Sequence, residues 1–226
     1  MKLPVIIVNF KIYEYATGKH ALELAKIHQE VADKTGVQFA IAVQPLDLRM
    51  IAQAVKIPVL AQHFDPVEHG AYTGHLSPHA LREAGAYGSL LNHAEKKLSL
   101  DVIEKCISLA RKVNFFTVVC ADTVDAGRAL VEFNPDLIAV EPPELIGGNV
   151  SVSSANPQLI SDAVRMIGKG KVLVGAGIKT KEDVRCALEL GASGVLLASG
   201  VTKSDNPRQT LLDLAEGVLA FEKRSK

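Results

Sequence analysis

Polar side chains directly follow several short apolar runs, and their types suit proton transfer beside an anion. Lys11 stands two residues after Asn9 at the end of the first run, His93 follows the fourth run and Glu141 follows the sixth. Carboxylates and imidazoles commonly move protons at neutral pH, and a lysine can offset negative charge on a substrate or an intermediate. The residues therefore predict acid–base chemistry on an anionic substrate, with no metal and no cofactor.

The sequence marks these candidates unequally. A carboxylate at the end of a buried strand is costly to desolvate unless it is paired or used, which favours a functional interpretation of Glu141. Pro142 restricts Glu141 to extended backbone, which fixes its direction. Taken singly, Lys11 is more often an ordinary exposed lysine and His93 a hydrogen-bonded structural histidine. Because one residue separates Lys11 from Asn9, extended backbone would point both side chains the same way.

Two turns rich in small residues follow the last two apolar runs. Gly177 lies in the turn after the seventh run, and Ala198 and Ser199 follow the eighth. Small residues let backbone N–H groups approach an anion, and in many β/α barrels the loops after strands 7 and 8 bind phosphate. Each turn alone is weak support, but together they predict a phosphate site.

The loop after Glu141 has the composition of a lid. Pro142 and Pro143 stand at one end, and Gly147 and Gly148 stand near the other. Prolines stiffen a segment and glycines absorb backbone rotation, so the loop could move as a rigid piece on a flexible hinge. A plain surface loop is the alternative interpretation.

Four histidines fall within 17 residues around the third apolar run: His63, His69, His75 and His79. Their spacings match no common zinc pattern, and no cysteine lies nearby. A polar loop that contacts another subunit is favoured over a metal site.

The frame for these positions is a series of eight short runs rich in β-branched residues. We expect strands at residues 5–8, 39–43, 59–61, 89–91, 116–120, 137–140, 172–174 and 195–197. Most runs are apolar throughout, as in parallel strands that are covered on both faces. Helix starts are indicated between them, by Ser77-Pro78, Asn156-Pro157 and Asn206-Pro207 and by a Thr180–Asp183 capping box.

Eight strand–helix pairs favour a closed α/β barrel, (β/α)8, over an open doubly wound sheet, because no glycine-rich dinucleotide turn is present. Residues 1–226 would then form one catalytic domain. Sharing 226 residues among eight units leaves about 28 per unit. That is close to the minimum of roughly 30 for a βαβ motif, so loops should be short and helices abbreviated.

Composition excludes several classes of protein. The 25 basic residues balance the 25 acidic ones, so there is no excess charge to bind nucleic acid or an anionic membrane. No apolar run reaches the roughly 18 residues of a spanning helix, and no leader-like apolar segment follows Met1. Cys106, Cys120 and Cys186 form no C-x-x-C pair, which fits a reducing compartment, and we expect a cytoplasmic protein.

Five phrases, each at a predicted strand end, resemble the triosephosphate isomerase family in its short archaeal-type form. They are Val8-Asn9-Phe10-Lys11, Leu91-Asn92-His93-Ala94-Glu95, the stretch from Ala139-Val140-Glu141-Pro142-Pro143 through Glu144-Leu145-Ile146-Gly147, Gly175-Ala176-Gly177-Ile178, and Leu197-Ala198-Ser199-Gly200. The resemblance covers nearly the whole chain, and the phrases occur in the family's order.

The resemblance implies a TIM barrel that interconverts dihydroxyacetone phosphate and glyceraldehyde 3-phosphate through an enediolate, in glycolysis and gluconeogenesis. In the roles long assigned to this family, Glu141 would be the base and His93 the electrophile that shuttles protons between oxygens. Lys11 would offset the charge on phosphate and enediolate, and Asn9 would orient the substrate.

The resemblance also implies a phosphate site and an assembly. The backbone at Ile146, Gly177, Ala198 and Ser199 would hold the phosphate, with Ile146 arriving as the lid closes. The loop around Tyr72-Thr73-Gly74 would contact a neighbouring subunit, in a homo-oligomer for which a tetramer is preferred over a dimer.

Two departures from the family pattern affect finer features. Many members have a serine where Ala94 stands, so a hydrogen bond beside the histidine is missing here. Longer members have a phosphate-contacting serine where this chain has Ile178, which shifts binding onto backbone donors.

Two rival functions fit the same fold: another sugar-phosphate isomerase on a phosphate-binding barrel, and a catalytically silent barrel that binds a phosphorylated metabolite. A silent binding module would have no need of Lys11, His93 and Glu141 together.

Overall fold

The eight predicted strands are confirmed in a computed structural model, which describes residues 1–146 and 151–224. They are β1 (Val5–Asn9), β2 (Gln38–Val43), β3 (Val59–Ala61), β4 (Gly88–Leu91), β5 (Phe116–Ala121), β6 (Leu137–Val140), β7 (Val172–Gly175) and β8 (Gly194–Leu197). Each predicted run lies inside an observed strand, with at most one residue added at either end.

The strands close a parallel barrel in chain order. Each strand pairs with the next, and β8 returns to β1, so that Val5 pairs with Gln38 on one side and Gly194 on the other. The predicted TIM barrel is therefore confirmed, and the open doubly wound alternative is wrong.

Helices occupy the segments between the strands. They are α1 (Gly18–Thr35), α2 (Pro45–Ala54), α3 (Pro78–Glu83), α4 (Leu100–Lys112), α5 (Val124–Leu130), α6 (Val152–Ala155), α7 (Pro157–Ile167), α8 (Lys181–Glu189), α9 (Ser199–Thr202) and α10 (Pro207–Arg224). Short 3-10 turns lie at Glu14–Ala16, Val131–Phe133 and Pro143–Leu145. Abbreviation is uneven: α3, α5 and α8 have 6, 7 and 9 residues, whereas α1 and α10 have 18 each. Among the described helices, none is long and apolar enough to cross a membrane.

Most predicted helix starts form as expected. Asn156 and Asn206 each accept, through the side-chain oxygen, an N–H three residues later at 3.1 Å. The Thr180–Asp183 capping box is present with both of its hydrogen bonds. Ser77 departs from the prediction, because its hydroxyl makes no cap hydrogen bond although α3 begins at the next residue.

Side chains on the strands alternate between the barrel interior and the helix-covered face. One buried cluster takes alternate strand residues: Val5, Ile7, Ala40, Ala42, Leu60, Leu90, Val118, Cys120, Leu137, Ala139, Leu173 and Leu196. The intervening residues pack against the helices in a second, larger cluster. Since the period along a strand is two, the same face continues to Asn9, Gln62, Glu141 and Gly175 at the carboxyl ends. The barrel's own alternation thus directs polar groups toward its mouth.

Candidate active site

Strand ends and loops at the carboxyl mouth of the barrel enclose a narrow cavity. Its volume is about 30 Å³, enough for one or two water molecules. The lining includes every predicted site residue that the structure describes except the two lid prolines: Asn9, Lys11, His93, Glu141, Ile146, Gly177, Ala198 and Ser199. The sequence predicted this set of neighbours from positions that are up to 190 residues apart.

The predicted lid begins beside this cavity. Pro142 is buried and Pro143 is exposed, and Pro143 opens the 3-10 turn that ends just before Ile146. The N–H of Ile146 donates to the carbonyl of Pro143 at 3.2 Å. Gly147 and Gly148, the predicted hinge, lie outside the described residues.

Glu141 is a buried carboxylate directly after β6. Its backbone N–H donates to the carbonyl of Ala121 at 2.9 Å, which continues the sheet by one residue. Among the described residues, Oε2 of Glu141 has no hydrogen-bond partner. Burial raises the pKa of Glu141 to about 7, against the opposing effect of a hydrogen bond from the Cys120 thiol. A carboxylate with this pKa can both take up and release a proton near neutral pH.

His93 is held as a neutral imidazole with a defined tautomer. The backbone N–H of Glu95 donates to Nδ1 of His93 at 3.1 Å, so Nδ1 is the acceptor and Nε2 carries the proton. Burial and, secondly, the positive charge of Lys11 lower the pKa of His93. Nε2 lies 3.9 Å from Oε2 of Glu141. An N–H donor and an unpartnered carboxylate oxygen therefore face the same space.

Lys11 reaches the site through an unexpected backbone conformation. We expected extended backbone, but Lys11 is left-handed at φ 50°. Its N–H donates to Oδ1 of Asn9 at 3.0 Å, and its carbonyl accepts from Nε2 of Gln62 at 2.9 Å. The local bond to Asn9 and the long-range bond from Gln62 stabilise a conformation that is unfavourable for a lysine by itself. Nζ pairs with Oε1 of Glu95 at 2.6 Å.

Sequence reasoning missed Gln62. Its amide also donates to Oδ1 of Asn9 at 3.2 Å, so one side chain fixes both Asn9 and Lys11. The available signal was the period of two along β3, which carries Leu60 inward and then Gln62. The hydrogen bond from the Cys120 thiol to Glu141 was also not predicted, although the same alternation along β5 points Cys120 into the barrel.

Gly175 provides the space that the Glu141 side chain occupies. A methyl group at Gly175 would lie 2.4 Å from both Cγ and Oε1 of Glu141. No ordinary carbon contact is that short, so any side chain at this position would displace the carboxylate.

The turn after β7 and the start of α9 form the predicted phosphate side of the cavity. Ala176 and Gly177 are both left-handed, at φ 73° and 72°, which turns the backbone sharply beside Glu141. Ser199 begins α9, and the first N–H groups of a helix have no partner within the helix. The carbonyl of Ala176 accepts the N–H of Val152 at 3.2 Å, which joins this turn to the far end of the loop after Glu141.

Asp183 strengthens that junction beyond its role in the capping box. Its Oδ1 accepts from the hydroxyls of Ser151 and Ser153, the second at 3.1 Å. Its Oδ2 accepts the backbone N–H groups of Lys179 and Thr180 at 3.1 and 3.0 Å. One buried carboxylate therefore ties Ser151 and the first turn of α6 to the turn before α8.

The two departures from the family pattern have visible consequences. Ala94 cannot hydrogen-bond to the histidine beside it, but the backbone N–H of Glu95 satisfies Nδ1 of His93 instead. Ile178 is buried and belongs to the hydrophobic core that also lines the cavity.

The clustered histidines do not converge on one point. His63 is buried, and its Nε2 lies 3.1 Å from Oδ1 of Asp65, whereas the rings of His69 and His79 pack against each other with centroids 4.7 Å apart and planes inclined by 38°. Across the described residues, no three histidine, cysteine or acidic side chains are placed to share a metal ion.

Comparisons with known proteins agree with the geometry. A family model described as triosephosphate isomerase matches residues 4–217. A protein named triosephosphate isomerase from Methanothermobacter thermautotrophicus is 48% identical over 219 residues, which cover 95% of this chain and 96% of that protein. A protein of that name from Methanocaldococcus jannaschii is 43% identical over 93% of this chain and 98% of its own length. Another, from Methanobacterium bryantii, is 42% identical over 95% of this chain and 97% of its own length.

Proposed function

The chain belongs to the triosephosphate isomerase family, and from that premise we propose how its own residues divide the work of the reaction. It is an isomerase that interconverts dihydroxyacetone phosphate and glyceraldehyde 3-phosphate by proton transfer through an enediolate. The rival functions, a different sugar-phosphate isomerase and a silent binding barrel, are set aside. The proposal on residues rests on one observation: an unpartnered buried carboxylate oxygen lies 3.9 Å from a neutral imidazole N–H.

Glu141 removes a proton from C1 of dihydroxyacetone phosphate, and the electron pair moves into a C1–C2 double bond. Nε2–H of His93 polarises the C2 carbonyl and gives its proton to that oxygen. His93 then takes the proton from the C1 hydroxyl, and Glu141 returns its proton to C2. A pKa of about 7 suits Glu141 to both steps, because the group can accept and release the same proton.

Lys11 and Asn9 act on the charge and position of the substrate. The Lys11 ammonium offsets the negative charge of phosphate and enediolate, and Asn9 orients the carbon chain. In the free enzyme Lys11 pairs with Glu95, whose side chain is 58% exposed. The Lys11 side chain is only 10% exposed, so substrate oxygens that replace Glu95 give this largely desolvated ammonium an equivalent anionic partner.

The phosphate is held by backbone N–H groups at Ile146, Gly177, Ala198 and Ser199. The segment from Pro142 closes as a lid, with Gly147 and Gly148 absorbing the motion and Ile146 arriving against the phosphate. Replacing both hinge glycines with alanine should impair closure and raise phosphate loss from the enediolate relative to isomerisation. If this double variant kept its turnover and its ratio of phosphate loss to isomerisation, the segment would not act as a lid.

The protein works as a homo-oligomer, for which we prefer a tetramer to a dimer. Ile12 and Leu46 are 78% and 89% exposed in the isolated chain, and Tyr72 is 48% exposed on the loop after β3. A cavity of about 440 Å³ lies beside this region, with Lys11 and Gln62 on its wall. Association of copies would cover these apolar groups. Light scattering at micromolar concentration tests this, and a fully active monomer would contradict it.

The remaining proposals concern the whole chain. Residues 1–226 form one catalytic domain that needs no cofactor or metal and acts in the cytoplasm, with no nucleic-acid or membrane partner. Three unpaired cysteines fit a reducing compartment. The direct test of the activity is a coupled assay on purified protein with glyceraldehyde 3-phosphate. Exchange of the substrate's carbon-bound hydrogen with deuterated solvent tests the enediolate step.

A further inference from the structure

A second cavity opens at the other end of the barrel, among the segments that lead into β4 to β7. Its volume is about 560 Å³, within the range of small-molecule sites, and none of its residues takes part in isomerisation. Its walls come from α3, the C-terminal part of α4 and the segments just before β4, β5, β6 and β7.

Three cations line this cavity without ion-pair partners. Arg82, Arg111 and Lys171 form no salt bridge with any carboxylate of the described residues. Nζ of Lys171 donates to the carbonyl of Pro135 at 2.9 Å and to Oδ1 of Asn134 at 3.3 Å, and Nη2 of Arg111 donates to the carbonyls of Phe133 and Asn134 at 3.0 and 3.4 Å. The two charges therefore converge on Asn134.

The lining carboxylate does not neutralise these cations. Oδ2 of Asp136 accepts the N–H and the hydroxyl of Thr117 at 2.8 and 3.0 Å. The cavity thus carries three positive charges against one negative charge, in a chain whose charges balance overall. Such a local excess favours an anion with more than one negative charge.

An aromatic wall faces the same cavity. The rings of Tyr87 and Phe116 lie 5.4 Å apart between centroids with their planes inclined by 44°, and Tyr87 is 40% exposed. The backbone nitrogen of Met1 donates to the Tyr87 hydroxyl at 2.7 Å, which holds that ring. Exposed aromatic faces stack flat heterocyclic rings, an interaction that inorganic phosphate cannot use.

We propose that this cavity binds a nucleotide. The base stacks on the ring of Tyr87 with Phe116 at its edge, and the phosphates meet Arg111 and Lys171, with Arg82 adding charge at the exposed edge. The combination of a ring-stacking wall, converging cations and sufficient volume separates this ligand from a simple anion. The site is independent of the isomerase active site, whose residues lie at the opposite ends of the strands.

Calorimetric titration with ADP tests the proposal, using intact protein and saturating triose phosphate so that the catalytic cavity is occupied. ADP should bind, and both adenosine and pyrophosphate should bind about tenfold more weakly or worse, since each supplies half of the contacts. Arg111→Gln and Lys171→Gln should each weaken ADP binding by about tenfold, because each loses a charge-assisted contact.

Lys112→Gln is the matched control. Lys112 is the neighbour of Arg111 on α4, but it lies outside this cavity and 3.5 Å from Glu68, so its loss should leave ADP affinity unchanged. Equal losses in Lys112→Gln and Arg111→Gln would overturn the site. So would an absence of ADP binding, as expected if another copy of the chain covers the cavity. Pyrophosphate binding as tight as ADP binding would overturn the nucleotide assignment.

Discussion

The two ends of the barrel hold charged side chains in opposite ways. At the carboxyl end, Glu141 and His93 are 6% and 7% exposed, and burial moves the pKa of each toward the neutral form. At the amino end, Arg82 and Arg111 are exposed and Lys171 is half-buried. The difference separates two tasks: proton transfer needs desolvated groups with altered pKa values, whereas attraction of an anion needs only accessible charge.

Desolvation at the carboxyl end has a thermodynamic cost. The pKa of Glu141 rises from 4.5 to about 7 on folding, so the folded protein retains a proton that the unfolded chain has released between these pH values. Stability therefore falls as pH rises from 4.5 to 7, and above pH 7 the loss is on the order of 3 kcal/mol. An exposed cation at the amino end, such as Arg111, stays hydrated and causes no such loss of stability.

We expect the largest change in kcat from Glu141→Gln, at the buried carboxylate of the carboxyl end. It keeps the shape of the side chain but removes the base, so kcat should fall by roughly a thousandfold or more. The same change removes a buried charge at pH 8, and the free energy of unfolding should increase by about 1 kcal/mol or more. Assay and urea unfolding measure the two effects, at one protein concentration because the proposed oligomer would make stability depend on concentration.

Glu141→Asp is the matched variant for that experiment. It keeps the acid but withdraws it by about 1 Å, a displacement that can cost on the order of a hundredfold in rate. If Glu141→Gln isomerised substrate and exchanged its hydrogen at near-normal rates, Glu141 would not be the base. The proposed division of tasks between the two ends of the barrel would then fail as well.

Lys11→Met tests the cation that lies between these extremes, with a side chain 10% exposed. The substitution keeps most of the stem but removes the charge that we propose faces phosphate and enediolate. We expect kcat/KM to fall by roughly a hundredfold, in the range seen when a transition-state donor is lost. Wild-type kcat/KM at low salt would make Lys11 an ordinary surface lysine.

Gly175→Ala tests the position of Glu141, because it moves the carboxylate without changing the chemical group. The new methyl group would overlap Cγ and Oε1 of Glu141 at 2.4 Å, so the carboxylate must shift by about 1 Å. We expect kcat to fall by up to about a hundredfold with little change in KM.

Gly127→Ala is the control, because its methyl group would meet Cδ1 of Ile167 at 2.7 Å, away from the site. It should lower stability and leave kcat unchanged. Equal effects of Gly175→Ala and Gly127→Ala on kcat would mean that Gly175 acts only through packing.

The strands that position the site could be predicted, because each is marked by its own short stretch of sequence. Strands buried on both faces read as short apolar runs, and the residue after each run falls at the barrel mouth whatever the helices do. That argument located His93 and Glu141, and the cap at Asn156 followed from its own dipeptide.

The contacts between those positions were not predictable, because they depend on how distant strands align. Gln62 lies 53 residues from Asn9 along the chain, yet it hydrogen-bonds to it. The left-handed backbone of Lys11 is not one that lysine favours, and it is stabilised by a local hydrogen bond to the Asn9 side chain and a long-range one from Gln62. Gly175 makes room for Glu141 only in the closed barrel.

The pH dependence of kcat/KM should report the buried base. Below a pKa of about 7 Glu141 is protonated in the free enzyme, so kcat/KM should fall about tenfold for each pH unit. The Cys120 hydrogen bond lowers that pKa, and Cys120→Ala should therefore shift the acidic limb to higher pH. Rates measured from pH 5 to 9 test both points, and a flat profile below pH 7 would contradict the assignment.

The smallest effect on catalysis is expected from Asp136→Ala at the amino end. Oδ2 of Asp136 accepts two hydrogen bonds from Thr117, which is 2% exposed and lies on β5, the strand that carries Cys120 toward Glu141. Losing the acceptor leaves a buried N–H unpaired and should cost about 1–3 kcal/mol of stability. If the two ends are independent, kcat/KM stays within about twofold, because β5 remains anchored by β4 and β6. Asp136→Asn, which keeps an oxygen acceptor, should recover most of the stability. Should kcat/KM fall tenfold in a folded Asp136→Ala protein, β5 would couple the two ends, and the division of tasks between them would fail.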